Sequence, residues 1–135
     1  EIFMTNELRE GIRGSSETVV DENNTALTMG SGELEVFATP AMVALMEEAA
    51  AESVKPYIDE KSTTVGTALE IEHISATPIG VSVRCESELC HIDGRKLVFN
   101  VTAYDNAGII GKGRHERFIV EKERFMKKAD SKRKN

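Results

Sequence analysis

No run of about 20 apolar residues occurs in the chain, so the sequence holds no helical membrane span. The N-terminus, EIFMTNELREG, lacks a basic region followed by an apolar one; no signal peptide is read there, and a cytoplasmic location is expected. Cysteine is scarce. Cys85 and Cys90 are the two present, and five residues apart on one strand they face opposite sides and are expected to stay reduced and unpaired. The three histidines, His73, His91 and His115, lie on separate segments with no H-E-x-x-H or C-x-x-C spacing, so a metal is not expected. Internal repeats and low-complexity stretches are also missing, apart from a charged tail.

The charges are distributed unevenly. The net charge is -6, yet Glu121 to Asn135 carries seven Lys or Arg against three acids, which leaves -10 for the body. An acidic body argues against a nucleic-acid surface. The basic tail reads as a solvated helix end followed by a flexible segment, and it could assist a phosphate-bearing substrate. With 135 residues, the chain is long enough for one core. The expected organisation is one domain over residues 1–123 and a charged tail over 124–135.

Glu17–Glu22 and Thr25–Met29 lean towards β structure, with Asn23-Asn24 as a turn signal. Thr39-Pro40 then opens a helix, with Thr39 as the N-cap and Pro40 in the first helical position, and Pro56 ends it after about Val54. Four long alternating strands follow. In the first, Ser62–Ala76, the inward set is Val65, Thr67, Leu69, Ile71 and His73. Val81–Ile92, Arg95–Tyr104 and Ile109–Val120 follow across turns at Asp93-Gly94 and Asp105–Gly108. A twisted antiparallel sheet with one apolar face, and one almost wholly apolar helix, are best satisfied when the sheet curls around the helix. The predicted class is α+β, a hot-dog arrangement.

The helix carries a carboxylate in an unexpected place. At about 100° per residue, Glu47 shares its face with Val43, Ala44, Ala50, Ala51 and Val54, whereas Glu48 lines up with Glu52 and Lys55 on the solvated side. A carboxylate on an apolar face is either partly exposed at a rim or a working group in a pocket. Thr39 alone reads as a plain cap, and His73 alone as a satisfied core histidine. Together, a carboxylate and an imidazole aimed into one apolar interior can orient each other and hold shifted pKa values. The helix start adds free N–H groups and a positive dipole end for an oxyanion. Gly66 allows close backbone approach, and these parts suit acyl transfer to water. Gly111-Lys112-Gly113-Arg114-His115-Glu116-Arg117 is not followed by a helix pattern, so it does not read as a phosphate loop; His115 and Arg117 are candidates for ligand contact.

With VFATPAMVALMEEAA, VGTALEIEHISATPIG and GKGRHERF in hand, the sequence resembles the fluoroacetyl-CoA thioesterase-like family of hot-dog proteins from about Asn23 to Glu123. Thr39, Glu47 eight residues on, Gly66 and His73 match that family's catalytic Thr, Glu and His and its active-site Gly. The resemblance implies a homodimer with pockets at the subunit interface and hydrolysis of an acyl-CoA without metal or cofactor; it leaves open whether dimers pair into a tetramer. In that reading Glu47 attacks the thioester or activates water, His73 is the acid/base, Thr39 positions groups, and Gly66 lies against the acyl chain. The family's fluoroacetate-resistance member has a longer, phenylalanine-bearing lid before the helix. This chain has the short Met29-Gly30-Ser31-Gly32-Glu33-Leu34-Glu35 with Phe37 nearby as a substrate contact, which predicts a more open pocket for another short or medium acyl group.

The function expected is therefore acyl-CoA hydrolysis; the competing reading is a hot-dog module that binds or senses acyl-CoA without hydrolysing it. Periodicity separates the two adjacent carboxylates in a testable way. In a thiol-release assay Glu47→Ala is expected to abolish acyl-CoA hydrolysis while Glu48→Ala keeps it, and equal loss in both variants would refute the assignment of the site to one face.

Overall fold

The computed structural model describes residues 7–134; the first six residues of the stretch read for a targeting signal, and the last residue of the tail, lie outside it. The elements are β1 (Arg13–Val19), α1 (Ala26–Met29), α2 (Thr39–Val54), β2 (Ser62–His73), β3 (Ser82–Asp93), β4 (Lys96–Asp105), β5 (Gly108–Glu121) and α3 (Lys122–Asp130). All strand pairings are antiparallel, in the order β1-β3-β4-β5-β2. The β3–β4 and β4–β5 connections fall on the turns foreseen, with Gly94 and Gly108 at positive φ where a side chain would be strained.

One face of the sheet supplies Val83, Cys85, Leu89, Phe99, Val101 and Ala103 to a core completed by Met42, Leu45, Met46, Ala49, Ala50 and Val54 of α2. Helix α2 lies close on β1. A Cβ on Gly14 would collide with the Ala49 carbonyl and the Ser53 side chain, so this strand position has to be glycine for the helix to approach. The Cys85 thiol in this core is pushed up to about 12, by burial and then by the Glu48 charge, and stays protonated. Both cysteines are free, as expected.

Several local expectations change. Of Thr25–Met29 only Thr25 is β, in a bridge to Phe37, and Ala26–Met29 is helical: the Thr25 side chain accepts the Thr28 N–H at 3.2 Å, caps the short helix α1, and Gly30 closes it in the left-handed region. Helix α2 begins one residue earlier than predicted. Its N-cap is Ala38, which makes no side-chain cap, and Thr39 is already helical with its hydroxyl turned elsewhere. The side of α2 that bears Glu47 is also not the core side. Val43, Glu47 and Ala51 are only partly buried and Ala44 is exposed, so this apolar strip runs beside β2 without being covered.

β2 contains the largest departure. Its register with β5 slips between Gly66 and Ala68, a bulge that leaves Thr67 giving its hydroxyl to the Glu116 carbonyl at 3.2 Å. Thr64 and Gly66 therefore face α2 in the first half, whereas Ile71 and His73 do so in the second; Val65 and Thr67 leave the inward set. Strand β2 is also an edge, paired only with β5 along its 12 residues. Among the described residues no helix is long and apolar enough to cross a membrane.

Candidate active site

The candidate residues fall into two groups. Where β2 ends beside the start of α2, Thr39 Oγ1 lies 2.7 Å from His73 Nδ1. The Thr39 hydroxyl, read from sequence as a cap, is used to fix the imidazole instead. His73 Nε2 is buried and has no hydrogen-bond partner among the described residues. Burial pulls the His73 pKa below its ordinary value, and a hydrogen bond with the Ser75 backbone works in the opposite direction. The neutral ring has one N–H; placed on Nδ1, it leaves the Nε2 lone pair free. Beside this pair is a cavity of about 280 Å³ lined by Ala26, Val36, Phe37, Thr39, His73 and Ile74. Phe37, expected as a substrate contact, is 1% exposed and forms part of the wall from within the core.

Glu47 lies two turns along α2, about 12 Å from Thr39 at 1.5 Å per residue, and belongs to the second group. Its Oε2 is 3.4 Å from Arg117 Nη1 of β5. Arg117 is buried and has acceptors on all three nitrogens: Nε donates to Thr64 Oγ1 at 2.8 Å, Nη2 to the Thr64 carbonyl at 2.9 Å, and Nη1 also to His115 Nε2 at 3.1 Å. These contacts settle the tautomer of His115. Its Nδ1 lies 2.9 Å from the Ala68 carbonyl, which can only accept, so the proton is on Nδ1 and Nε2 receives the guanidinium. Burial lowers the His115 pKa, the Ala68 bond opposes this, and the Arg117 charge lowers it further. The ring is a neutral spacer between strand and cation.

Gly66 completes this group. A Cβ on it would strike Glu47 Oε2 and crowd His115 and Arg117, so the bare backbone is what lets the carboxylate reach the guanidinium. Glu47 itself keeps 38% of its side chain exposed, with one oxygen tied down and the other open. His115 and Arg117, expected as ligand contacts, are 0% and 7% exposed; in this structure they support Glu47 from behind. The signal for this was present in β5, where His115, Arg117 and Ile119 alternate on one face opposite Thr64 and Gly66.

Within one protomer, then, Thr39 and His73 meet, as do Glu47, Gly66, His115 and Arg117, but the two groups do not touch. Among the described residues no cluster of three or more His, Cys, Asp or Glu is arranged to hold a metal ion.

Arg117 touches Glu47 from the buried side, which sets its expected phenotype. Arg117→Met should lower unfolding stability by about 2 kcal/mol in urea titrations, because the buried acceptors of Thr64 and His115 lose their donor. It should also reduce kcat for thioester hydrolysis more than it raises KM. A variant with wild-type kcat and a raised KM would return Arg117 to direct substrate contact.

The chain is similar to proteins of one family over most of its length. Residues 20–123 match the family model described as fluoroacetyl-CoA-specific thioesterase. The chain is 41% identical over 98 residues to the fluoroacetyl-CoA thioesterase of Streptantibioticus cattleyicolor, covering 73% of this chain and 70% of that protein. A solved structure of a fluoroacetyl-CoA thioesterase variant in complex with acetyl-CoA superposes with a TM-score of 0.88 at 34% identity, covering 93% of this chain and 98% of the other. A thioesterase superfamily member from Thermus thermophilus superposes at 0.86, with 28% identity and 93% of each chain covered. The hot-dog fold predicted from the strand pattern is thus the fold of the molecule, and the chain belongs to the fluoroacetyl-CoA-specific thioesterase family.

Proposed function

We propose that this thioester hydrolase cleaves a short or medium acyl-CoA at a site built from two copies of the chain, with Thr39 and His73 from one and Glu47 and Gly66 from the other. The observation that carries this reading is the separation just described: a buried, unpartnered His73 Nε2 at one end of β2 and a half-open Glu47 carboxylate towards the other. The edge of β2 and the uncovered strip of Val43, Ala44 and Ala51 give a second copy a surface to pair with. Antiparallel pairing of two β2 edges centred on Glu70, with the bulged Thr67 left out of the ladder, sets Gly66 of each copy opposite His73 of the other. That register brings Glu47 to the Thr39–His73 pair.

The chemistry divides between the groups. The open oxygen of Glu47 attacks the thioester carbonyl carbon, the C–S bond breaks, and CoA leaves as a thiolate, giving a mixed anhydride on Glu47. His73, neutral and with Nε2 free, takes a proton from water as the water oxygen attacks the acyl carbon of the anhydride. The C–O bond to Glu47 breaks, the free acid departs, and the imidazolium proton passes to the thiolate. Arg117 stabilises the Glu47 carboxylate as it leaves. The first-turn N–H groups of Thr39 and Ala41 face the oxyanion; Pro40 between them has none. The cavity of about 280 Å³ beside Thr39 and His73 takes the acyl group, and α1 with its short following loop lies over it as an open rim. Fluoroacetyl-CoA, the substrate named for the relative, is one of the short thioesters to be screened against acetyl and medium-chain ones.

The shared site has a signature in mixed oligomers. Glu47→Ala and His73→Ala are each expected to be inactive alone, whereas refolding them together in equal amounts should restore about a quarter of wild-type thiol release, since half the dimers are mixed and each holds one intact site. No recovery after verified exchange of subunits would place all three residues in one protomer.

The base role of His73 also sets a pH dependence. Burial holds its pKa below 6.5, so the working neutral form persists below pH 6.5 and is lost only as pH falls through the lowered value. The acidic limb of kcat/KM should accordingly have its midpoint below pH 6.5; a midpoint at or above that value would contradict the assignment.

A further inference from the structure

The turn that joins β4 to β5 holds a carboxylate that the site chemistry does not use. Asp105 is the last residue of β4, and its two oxygens serve different parts of the chain. Oδ1 accepts the Ala107 N–H at 2.8 Å and shapes the hairpin turn. Oδ2 accepts the Thr77 hydroxyl, also at 2.8 Å, from the connection between β2 and β3. Burial works to raise the Asp105 pKa, but hydrogen bonds from Ala107, Thr77 and Gly108 outweigh it and hold the carboxyl below its ordinary value. The acceptor is therefore charged, and both bonds are charge-assisted.

Thr77 is fully buried, and the segment that contains it forms one wall of the cavity beside Thr39 and His73. Ile74, Ser75 and Ala76, between His73 and Thr77, line that cavity. The wall is fastened at both ends. At the first, the Ile74 and Ser75 N–H groups donate to the Ile110 carbonyl at 2.7 and 3.2 Å. At the second, the Thr77 hydroxyl is held by Asp105 while its carbonyl accepts the Phe37 N–H at 2.8 Å, next to a bridge between Val36 and Pro78. Phe37 stands two residues before Thr39. A single buried residue thus links the β4–β5 turn to the start of α2.

These bonds close a small ring of chain. It runs from His73 to Thr77, crosses to Phe37, continues to Thr39 and returns to His73 through the 2.7 Å contact between hydroxyl and imidazole. In so short a ring a displacement of Thr77 is passed on to the contact opposite it. Neither Thr77 nor Asp105 lines the cavity, so their influence on it travels through this backbone.

Resting on the reading of Thr39 and His73 as one half of the site, we propose that Asp105 and Thr77 are positioning residues for thioester hydrolysis: the Asp105 carboxylate, through the Thr77 hydroxyl and carbonyl, sets the His73 imidazole on the Thr39 hydroxyl. The chemistry of the pair says which substitutions it tolerates. Thr77→Val keeps the side-chain volume and removes the donor, whereas Asp105→Ala leaves a buried hydroxyl without its acceptor. Asp105→Asn keeps a partner for each group, since its carbonyl oxygen accepts the Ala107 N–H and its amide donates to the Thr77 oxygen. Thr77→Ser retains the hydroxyl.

The test follows acyl-CoA hydrolysis and the ring-nitrogen NMR signals of His73, His91 and His115 in these variants. Thr77→Val and Asp105→Ala should each lower kcat by roughly tenfold or more, the scale on which a small misplacement slows a reaction, with KM within about twofold of wild type. The double variant should be no slower than the worse single one, because both break the same link. Thr77→Ser and Asp105→Asn should stay close to the wild-type rate. The His73 ring should hold a single tautomer in wild type and an exchanging mixture in the two damaging variants, while the His91 and His115 signals stay in place. Thr77→Val preserves the packed volume and reads the proposal even where Asp105→Ala unfolds the turn. Wild-type kcat in Thr77→Val overturns the proposal, as do additive losses in the double variant or an Asp105→Asn as slow as Asp105→Ala. A joint shift of the His73 and His115 signals also overturns it, since that marks a general loosening of the sheet. A His73 tautomer that depends on Thr77, in a protein that turns over no acyl-CoA, would instead refute the hydrolytic reading and leave the link from Asp105 to the imidazole standing.

Discussion

A guanidinium that keeps only 7% of its surface in water has to find acceptors inside the protein, and much of one half of the site follows from where Arg117 finds them. Thr64 takes two of its N–H groups, His115 accepts a third, and Glu47 supplies the opposite charge. Each acceptor is constrained in turn. His115 can accept only because its other nitrogen gives its proton to Ala68, and Glu47 can approach only because position 66 has no side chain. A carboxylate held in this way has one oxygen on the guanidinium and keeps the other open. This is preorganisation from secondary contacts on rigid strands, not from the ligand.

The other half rests on a single short contact. Thr39 and His73 come from helix start and strand end, and the 2.7 Å bond between them orients a ring whose remaining nitrogen points into a space with no protein partner. A buried imidazole nitrogen without a partner is unfavourable in an isolated protomer. So is a 12-residue edge strand flanked by a strip of small apolar side chains. Pairing through that edge would relieve both in one step. The elements left unsatisfied in the monomer are the ones the proposed chemistry needs.

Much of the architecture was legible because it depends on periodicity. Alternation set the four long strands and the apolar face of β3 and β4, and proline bracketed α2. The Thr39, Glu47, Gly66 and His73 set was visible as polar or small residues in an apolar pattern. What could not be read was direction at single positions. Thr39 satisfies the sequence rule for a cap equally well whether or not a histidine lies within reach, and Thr25–Met29 is short enough for one side-chain cap to decide between strand and helix. Arg117 was visible as a candidate for ligand contact, but its burial against Glu47 was not, since a cation beside a glycine-rich strand reads the same way until the burial of its neighbours is known.

The bulge in β2 matters most among the features the sequence concealed. Gly66 and His73 are seven residues apart, an odd separation, so on a regular strand they would face opposite sides. Strict alternation therefore places His73 inward and Gly66 outward, and on such a strand the glycine could not underlie Glu47. The slip between Gly66 and Ala68 adds one residue and reverses the phase, so both turn towards α2. Leu69, Ile71 and His73 then continue one face while Thr64 and Gly66 begin it. One extra residue in an edge strand thus brings an imidazole at one end and the support for a carboxylate at the other to a single surface, a condition for two copies of the strand to build the two equivalent sites proposed above.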